Sequence, residues 1–256
     1  MTSERNSARD PARTLALLWR KQVDGAPRRG PRQGLSVDAI VATAIALADK
    51  EGIEVLSMRR VAQALGVAAM TLYTYVPGKA ELLELMLDAV YQQMDRADVA
   101  GSPWRARLQA IAQDNRRLFD AHPWAATVSP GRPPLGPGLM AKYEHELRAL
   151  DGLGLDDVEM DAALTYLIGF VQASTRAAAD AQALARESRM SDEEWWAENE
   201  PLLATVFDAA RYPTAARVGA AAGAALGAAY NPDHAYEFGL QRVLDGLGAL
   251  IERRGR

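Results

Sequence analysis

The sequence predicts an all-α fold, with a small three-helix unit near the N-terminus and a larger helical region after it. Three observations carry this. Apolar residues recur at spacings of three and four along most of the chain, the period of one helix face. Strand-like alternation is nearly absent. Serine, glycine and proline stand where helices would start and stop.

The elements follow in order. Thr14–Val23 reads as a short helix with Leu15, Leu18 and Trp19 on its apolar side. The next stretch, G-A-P-R-R-G-P-R-Q-G at 25–34, holds too much proline and glycine to fold. Ser36 is a natural N-cap for a helix over Val37–Glu51, whose stripe is Val37, Ile40, Val41, Ala44, Ile45 and Ala48, with Gly52 as the stop. Ser57 caps a second helix over Met58–Leu65, with Val61, Ala62 and Leu65 inward. Gly66 makes a tight turn, a third helix covers Ala68–Tyr75, and Pro77-Gly78 ends it. A fourth helix over Lys79–Ala97 carries Leu82, Leu83, Met86, Leu87 and Val90.

Beyond it, helices are expected over 103–121, over Leu139–Leu150 (ended by Gly152 and Gly154) and over a long apolar stretch, Glu159–Ala185. The Pro/Gly-rich segment S-P-G-R-P-P-L-G-P-G at 129–138 is a loop. Ser191 and Glu194 have capping-box spacing and open a helix with Trp195 and Trp196. A last helix spans Ala235–Arg253, with apolar residues on more than one face.

The composition bounds the function classes. The 256 residues are 49% hydrophobic and 24% charged, ordinary for a globular protein. No cysteine means no disulfide framework and no thiolate metal site. The longest apolar stretch, Val218–Tyr230, is shorter than the roughly 20 residues of a membrane span. No signal core opens the chain, so the expectation is a cytoplasmic protein with no membrane partner. The net charge of −4 is uneven. Residues 1–35 hold eight Lys/Arg against three Asp/Glu, residues 36–80 hold four of each, and the rest hold 17 against 26. Contact with a polyanion is therefore expected only at the N-terminal end. Charge alone leaves open a basic tail on an acidic enzyme.

The segment 56–83 has the geometry of a helix-turn-helix. Small Ala62 lets two helices cross closely, Gly66 turns the chain and Leu72 anchors the second helix. With Leu72 inward, Met70, Tyr73 and Thr74 fall on the opposite face, with Ala69 and Thr71 beside them. Those side chains are free to meet a DNA groove. Many helical proteins contain such corners, so the geometry by itself leaves both readings open.

The block Ser36–Val90 resembles the DNA-binding domain of the tetracycline-repressor (TetR) family of transcriptional regulators. The residues that carry the resemblance are A-x-x-L-A-D-x-E-G at 44–52, L-S-M-R-R-V-A-x-x-L-G-V at 56–67 and T-L-Y-T-Y-V-x-x-K-x-E-L-L at 71–83. It implies that Arg59, Thr71, Tyr73, Tyr75 and Lys79 touch DNA, with Thr71 near bases and Tyr73 and Lys79 on phosphates. Ala69, Met70 and Thr74 match contact positions in placement but not in residue type. Alanine and methionine can touch a thymine methyl but cannot read purine hydrogen bonds. The recognition helix is thus poor in donors. An arm bearing Arg28, Arg29 and Arg32 is then expected to reach the adjacent minor groove, against the alternatives of a solvated tail or nonspecific phosphate attraction.

The division expected is a basic, partly disordered extension at 1–35, a DNA-binding domain with its linking fourth helix at 36–97, and a larger domain at 98–256. That last region resembles the ligand-binding and dimerisation domain of the tetracycline-repressor subgroup. The resemblance implies a homodimer through the C-terminal helices; a monomer with a well-buried last helix stays open. It also places Asp95, Ile111, Asn115, Ser129 and Glu146 at drug-contacting positions. The family's contacts there include two histidines, one ligating metal, and an asparagine, where this chain has serine, isoleucine and aspartate. These types argue against tetracycline–magnesium and for some other, largely apolar molecule. Trp104, Trp124, Tyr143, Tyr166 and Phe170 are candidate lining residues, core packing being the alternative for each. The loop 129–138 is a candidate hinge that reports occupancy to the fourth helix. His122, His145 and His234 have no metal-ligand spacing, and no catalytic constellation or cofactor motif is legible. The expectation is a dimeric repressor released from operator DNA by an effector. A regulator without a small-molecule ligand and a helical protein that does not bind DNA remain as alternatives.

Overall fold

Short polar side chains set the starts of three helices near the N-terminus. In the computed structural model, which describes residues 10–23, 35–128, 133–228 and 230–254, Asp10 accepts from the Ala12 and Arg13 amides and opens α1 (Pro11–Leu18). A brief α2 (Arg20–Val23) follows. Ser36 caps α3 (Val37–Glu51), accepting from the Ala39 amide at 3.1 Å, and Ser57 caps α4 (Met58–Ala64) through the Arg60 amide at 3.2 Å. Each cap satisfies an amide that the helix leaves orphaned. Then come α5 (Ala69–Tyr75) and α6 (Lys79–Gln93).

Two of the three residues expected on the apolar side of the N-terminal stretch, Leu18 and Trp19, turn inward, and Leu15 does not. Leu18 is buried and Leu17 and Trp19 pack on the core, while Leu15 is exposed. The fourth helix expected to reach Ala97 stops at Gln93. At Met94 the backbone turns extended, which buries the Met94 side chain and carries the Ala97 amide to the Asp114 carboxylate at 3.0 Å. The Arg96 guanidinium folds back and donates to the Tyr91 carbonyl near the helix end.

The C-terminal region comprises α7 (Trp104–Ala121), α8 (Pro123–Thr127), α9 (Pro137–Arg148), α10 (Asp157–Ser188), α11 (Asp192–Val206), α12 (Pro213–Leu226) and α13 (Pro232–Arg254). The long helix starts earlier than its apolar pattern because Asp156 and Glu159 form a capping box. Ser191 and Glu194 form the second capping box, as their spacing predicts. Helix α12 forms within the Ala/Gly-rich stretch, where no helix is expected from the sequence. Its alanines favour helix, and none of its residues is buried. Neither is any residue of α11, and the two meet where Trp196 lies against Gly223.

Helix α10 lies along both α7 and α13, α3 lies on α6, and α6 lies along α9. A continuous core runs through them, from Ile40, Val61, Leu72 and Met86 to Ile111, Leu167 and Leu244. Each such side chain contributes about 1.5–3 kcal/mol by leaving water. The α6–α9 crossing is backbone to backbone: a Cβ built on Gly138 would sit 2.0 Å from the Asp88 carbonyl oxygen. Asp88 is buried there and accepts from the Leu139 amide at 2.9 Å. Among the described residues no helix is long and apolar enough to cross a membrane.

Candidate nucleic-acid interface

The turn between α4 and α5 is built from backbone hydrogen bonds. The Val67 amide reaches the Ala62 carbonyl at 3.0 Å and the Gly66 amide reaches Gln63 at 3.1 Å, the paired bonds of a Schellman ending. Gly66 takes φ +68°, where a side chain would be strained. This fixes the angle at which α5 leaves the core. Leu72 is fully buried and Val76 follows it inward. The opposite face is open: Met70 is 74% exposed, Tyr73 is 41% exposed, and Thr71 and Thr74 are exposed beside them.

Of the residues expected to touch DNA, Arg59, Met70, Thr71, Tyr73, Thr74 and Lys79 share solvent exposure. Ala69 is half-buried, and Tyr75 is half-buried against the core. The paired arginines differ. Arg60 is held by both Glu51 oxygens at 2.9–3.2 Å, whereas Arg59 is exposed one position away. Thr74 donates its hydroxyl to the Thr71 carbonyl at 2.6 Å, so it meets a groove mainly as an acceptor. That deepens the shortage of donors on this helix.

Arg28, Arg29 and Arg32 lie outside the described residues. The segments on either side of them are anchored. Arg20 and Lys21 of α2 both pair with Asp38 at the start of α3, Lys21 at 3.5 Å. Burial works to raise the Asp38 carboxyl, but the Arg20 and Lys21 hydrogen bonds and charges outweigh it and hold the group below its ordinary value. Trp19 donates its indole N–H to the Leu135 carbonyl at 2.8 Å, in the loop before α9. The extension therefore contacts both the helix-turn-helix unit and the larger region.

The residues expected to hold an effector do not form one pocket. Ile111, Asn115 and Glu146 come together, fully buried or nearly so. Asn115 donates to Glu146 at 2.6 Å, and Lys142 donates to both Glu146 oxygens at 2.7 and 2.8 Å. The Lys142 ammonium lies 5.5 Å from the Tyr91 ring centroid. Burial, helped by the Glu146 and Asp88 charges, pushes the Tyr91 hydroxyl up to about 12.

The other candidates are dispersed. Asp95 is exposed at an open cleft of about 350 Å³ beside Asp114 and His122. Trp104 is half-buried in the core, and Phe170 stacks on Tyr236 with centroids 5.8 Å apart. Tyr143 is exposed and donates to Asp161 at 2.7 Å; Tyr166, 61% exposed, faces outward rather than into a cavity. Ser129 lies outside the described residues, as do 130–132 of the expected hinge. Trp124 is buried, and its indole N–H is taken by Asp49 of α3 at 2.6 Å. Sequence reasoning missed the roles of Asp49 and Asp88. Asp49 sits inside the A-D-x-E-G motif, yet nothing in the motif says what it holds.

Comparison with known proteins agrees with this architecture. Residues 40–86 match the family described as bacterial regulatory proteins, tetR family, and residues 99–251 match the tetracyclin repressor-like C-terminal domain. The HTH-type transcriptional repressor DrrR1 of Streptomyces coeruleorubidus is 40% identical over 257 residues, covering 99% of this chain and 92% of that protein. Apo ActR from Streptomyces coelicolor superposes with a TM-score of 0.69 at 28% identity, covering 86% of this chain and 97% of ActR. ActR in complex with actinorhodin also gives 0.69, at 27% identity, with 85% and 99% covered.

Proposed function

The chain belongs to the tetracycline-repressor family of transcriptional regulators, and from that premise we propose that it is a homodimeric repressor released from operator DNA by a small, largely apolar molecule. The observation that carries the reading is the division of α5: Leu72 is fully buried while Met70, Thr71, Tyr73 and Thr74 face solvent, with exposed Lys79 opening α6. In this reading Thr71 approaches bases, Tyr73, Lys79 and Arg59 hold phosphates, and the arm at 28–32 adds minor-groove contact. Residues 36–97 form the DNA-binding domain and 98–256 the sensing and dimerising one. The protein acts in the cytoplasm, where its DNA lies.

Dimerisation is supported by apolar side chains left uncovered on the two helices that would meet a second copy. Val158 and Tyr166 of α10 are 78% and 61% exposed, and Phe238 of α13 is 58% exposed. A two-fold dimer presents two copies of α5 about 34–36 Å apart, one turn of duplex. Repression is supported by the name of DrrR1, and response to a small molecule by the ActR complex with actinorhodin.

Release is a population shift. An effector that prefers the geometry with altered α5 spacing, by about 1–3 kcal/mol in typical cases, empties the operator. Two hydrogen bonds link the domains along that route, Asp88 to α9 and Asp49 to α8. The test is a footprint on the promoter beside the protein's own gene. Two protected half-sites on one face of the duplex are expected. No protection there, together with no duplex enriched from a random pool, overturns the reading.

A further inference from the structure

Four consecutive residues of the N-terminal extension tie three separate parts of the molecule together. Leu18 is the one buried residue of α1, which lies on α6. Trp19 donates its indole N–H to the Leu135 carbonyl at 2.8 Å, in the segment that leads into α9. Arg20 and Lys21 pair with Asp38 in the first turn of α3, Lys21 at 3.5 Å. The helix-turn-helix unit contributes α3 and α6 to this arrangement, and the larger region contributes the segment before α9.

The ties are discrete rather than a packed layer. A cleft of about 260 Å³ runs beneath them, with Leu18 and Trp19 on one side and Val41, Ile45, Leu85 and Pro137 among its other walls. A segment with few buried apolar contacts opens more easily than the core it covers. Lifting α1 and α2 exposes Leu18 and frees Trp19, Arg20 and Lys21, while the α3–α6 packing stays whole. The segment that Trp19 holds also lies close on α6. Gly136 has no room for a side chain beside the Asp88 carboxylate, and Asp88 accepts from the Leu139 amide at 2.9 Å.

We propose that α1 and α2 form a strap that fixes the DNA-binding unit against the larger region, and so fixes the separation of the two α5 helices in a dimer. The proposal rests on the reading of this chain as a dimeric DNA-binding regulator. A movement of α6 against α9 has to break the Trp19 bond, because Leu18 stays with α6 while Leu135 goes with α9. The strap therefore restrains that crossing from outside it, in addition to the contacts of Asp88 within it. Undocking leaves each α5 intact and lets the spacing between the two wander. Engagement of two half-sites at once weakens, because the second contact is made at a lower effective concentration. Engagement of one half-site does not.

Two variants of the full-length protein test this. Trp19→Phe keeps an aromatic ring and removes the indole donor; Leu18→Ala removes the buried anchor. Each is read beside the wild type by amide hydrogen exchange over 133–140 and by titration of two promoter duplexes, one with both half-sites and one with a single half-site. Exchange over 133–140 is expected to quicken about fivefold or more in each variant, the change that losing one hydrogen bond brings. Affinity for the two-site duplex is expected to fall about fivefold or more, and affinity for the one-site duplex to stay within about twofold. Wild-type exchange in both variants overturns the docking. An unchanged or higher two-site affinity, or an equal fall on both duplexes, overturns the control of spacing. If the wild type binds the two-site duplex, the regulator reading survives either failure. If it binds no duplex, that reading falls and the control of spacing falls with it, while exchange still shows whether the strap holds 133–140.

Discussion

Asp49 and Trp124 stand 75 positions apart in the chain and are joined by a 2.6 Å hydrogen bond between the last turns of α3 and the buried indole of α8. His122 brings its Nδ1 to the same carboxylate oxygen at 2.8 Å. One acidic residue of the DNA-binding unit thus grips two residues of the larger domain. Trp124→Phe keeps an aromatic ring but removes the donor and part of the buried indole. Equilibrium unfolding should show a loss of about 1 kcal/mol for the hydrogen bond plus a cavity cost, with altered operator affinity although Trp124 lies far along the chain from α5.

Leu72 and Met70 separate folding from binding. Leu72→Ala empties a fully buried position and should cost about 2–5 kcal/mol in urea unfolding. Met70→Ala removes an exposed side chain and should change stability by no more than about 0.5 kcal/mol. It should still weaken operator binding, because Met70 faces the groove in this account.

Gly138 and Asp88 hold α6 against α9. Gly138→Ala forces a methyl to within 2.0 Å of the Asp88 carbonyl oxygen, so the helices must part. A loss of about 1–3 kcal/mol is expected, measured by urea unfolding.

The same Asp88 makes a pH prediction. Burial raises its carboxyl above the ordinary value, against the opposing hydrogen bonds from the Leu139 and Gly138 amides. A raised folded value means its contribution is complete below the unfolded pKa of about 3.9 and is lost as pH rises through the folded value. Asp88→Asn cannot ionise and keeps an oxygen for Leu139. Its thermal midpoint should match or exceed the wild type's at neutral pH, and the difference should shrink as pH falls toward about 4.

Lys142 and Glu146 form an ion pair with both side chains buried. Glu146→Leu alone strands the ammonium and should cost about 3–5 kcal/mol. Lys142→Met with Glu146→Leu should recover most of that loss, since two apolar side chains of similar volume need no partner. A double-mutant cycle by denaturant unfolding measures the difference.

The DNA-binding unit was highly legible because its signals are local. Ser36, Ser57 and Gly66 act within a few residues of themselves, and the Val37–Glu51 helix has the bounds its cap and stop predict. The end of α6 was not legible, because Asp114, 17 positions beyond Ala97, decides where the Ala97 amide goes. Helix α12 was missed because its small residues read as a plain Ala/Gly-rich apolar run, and none of them is buried to mark a core-facing side. The expected effector residues dispersed for a related reason. Aromatic residues such as Tyr166 and Trp124 are equally suited to an outer face, a domain contact or a pocket wall, and only tertiary packing chooses among them.

The central claim is that the exposed face of α5 with Lys79 reads DNA for a dimer assembled elsewhere. Its most direct test is duplex titration of Tyr73→Ala/Lys79→Ala beside the wild type, on the promoter of the protein's own gene, with sedimentation of both. The account predicts that the variant sediments as a dimer like the wild type and loses promoter binding. A variant that binds the promoter with wild-type affinity would contradict it.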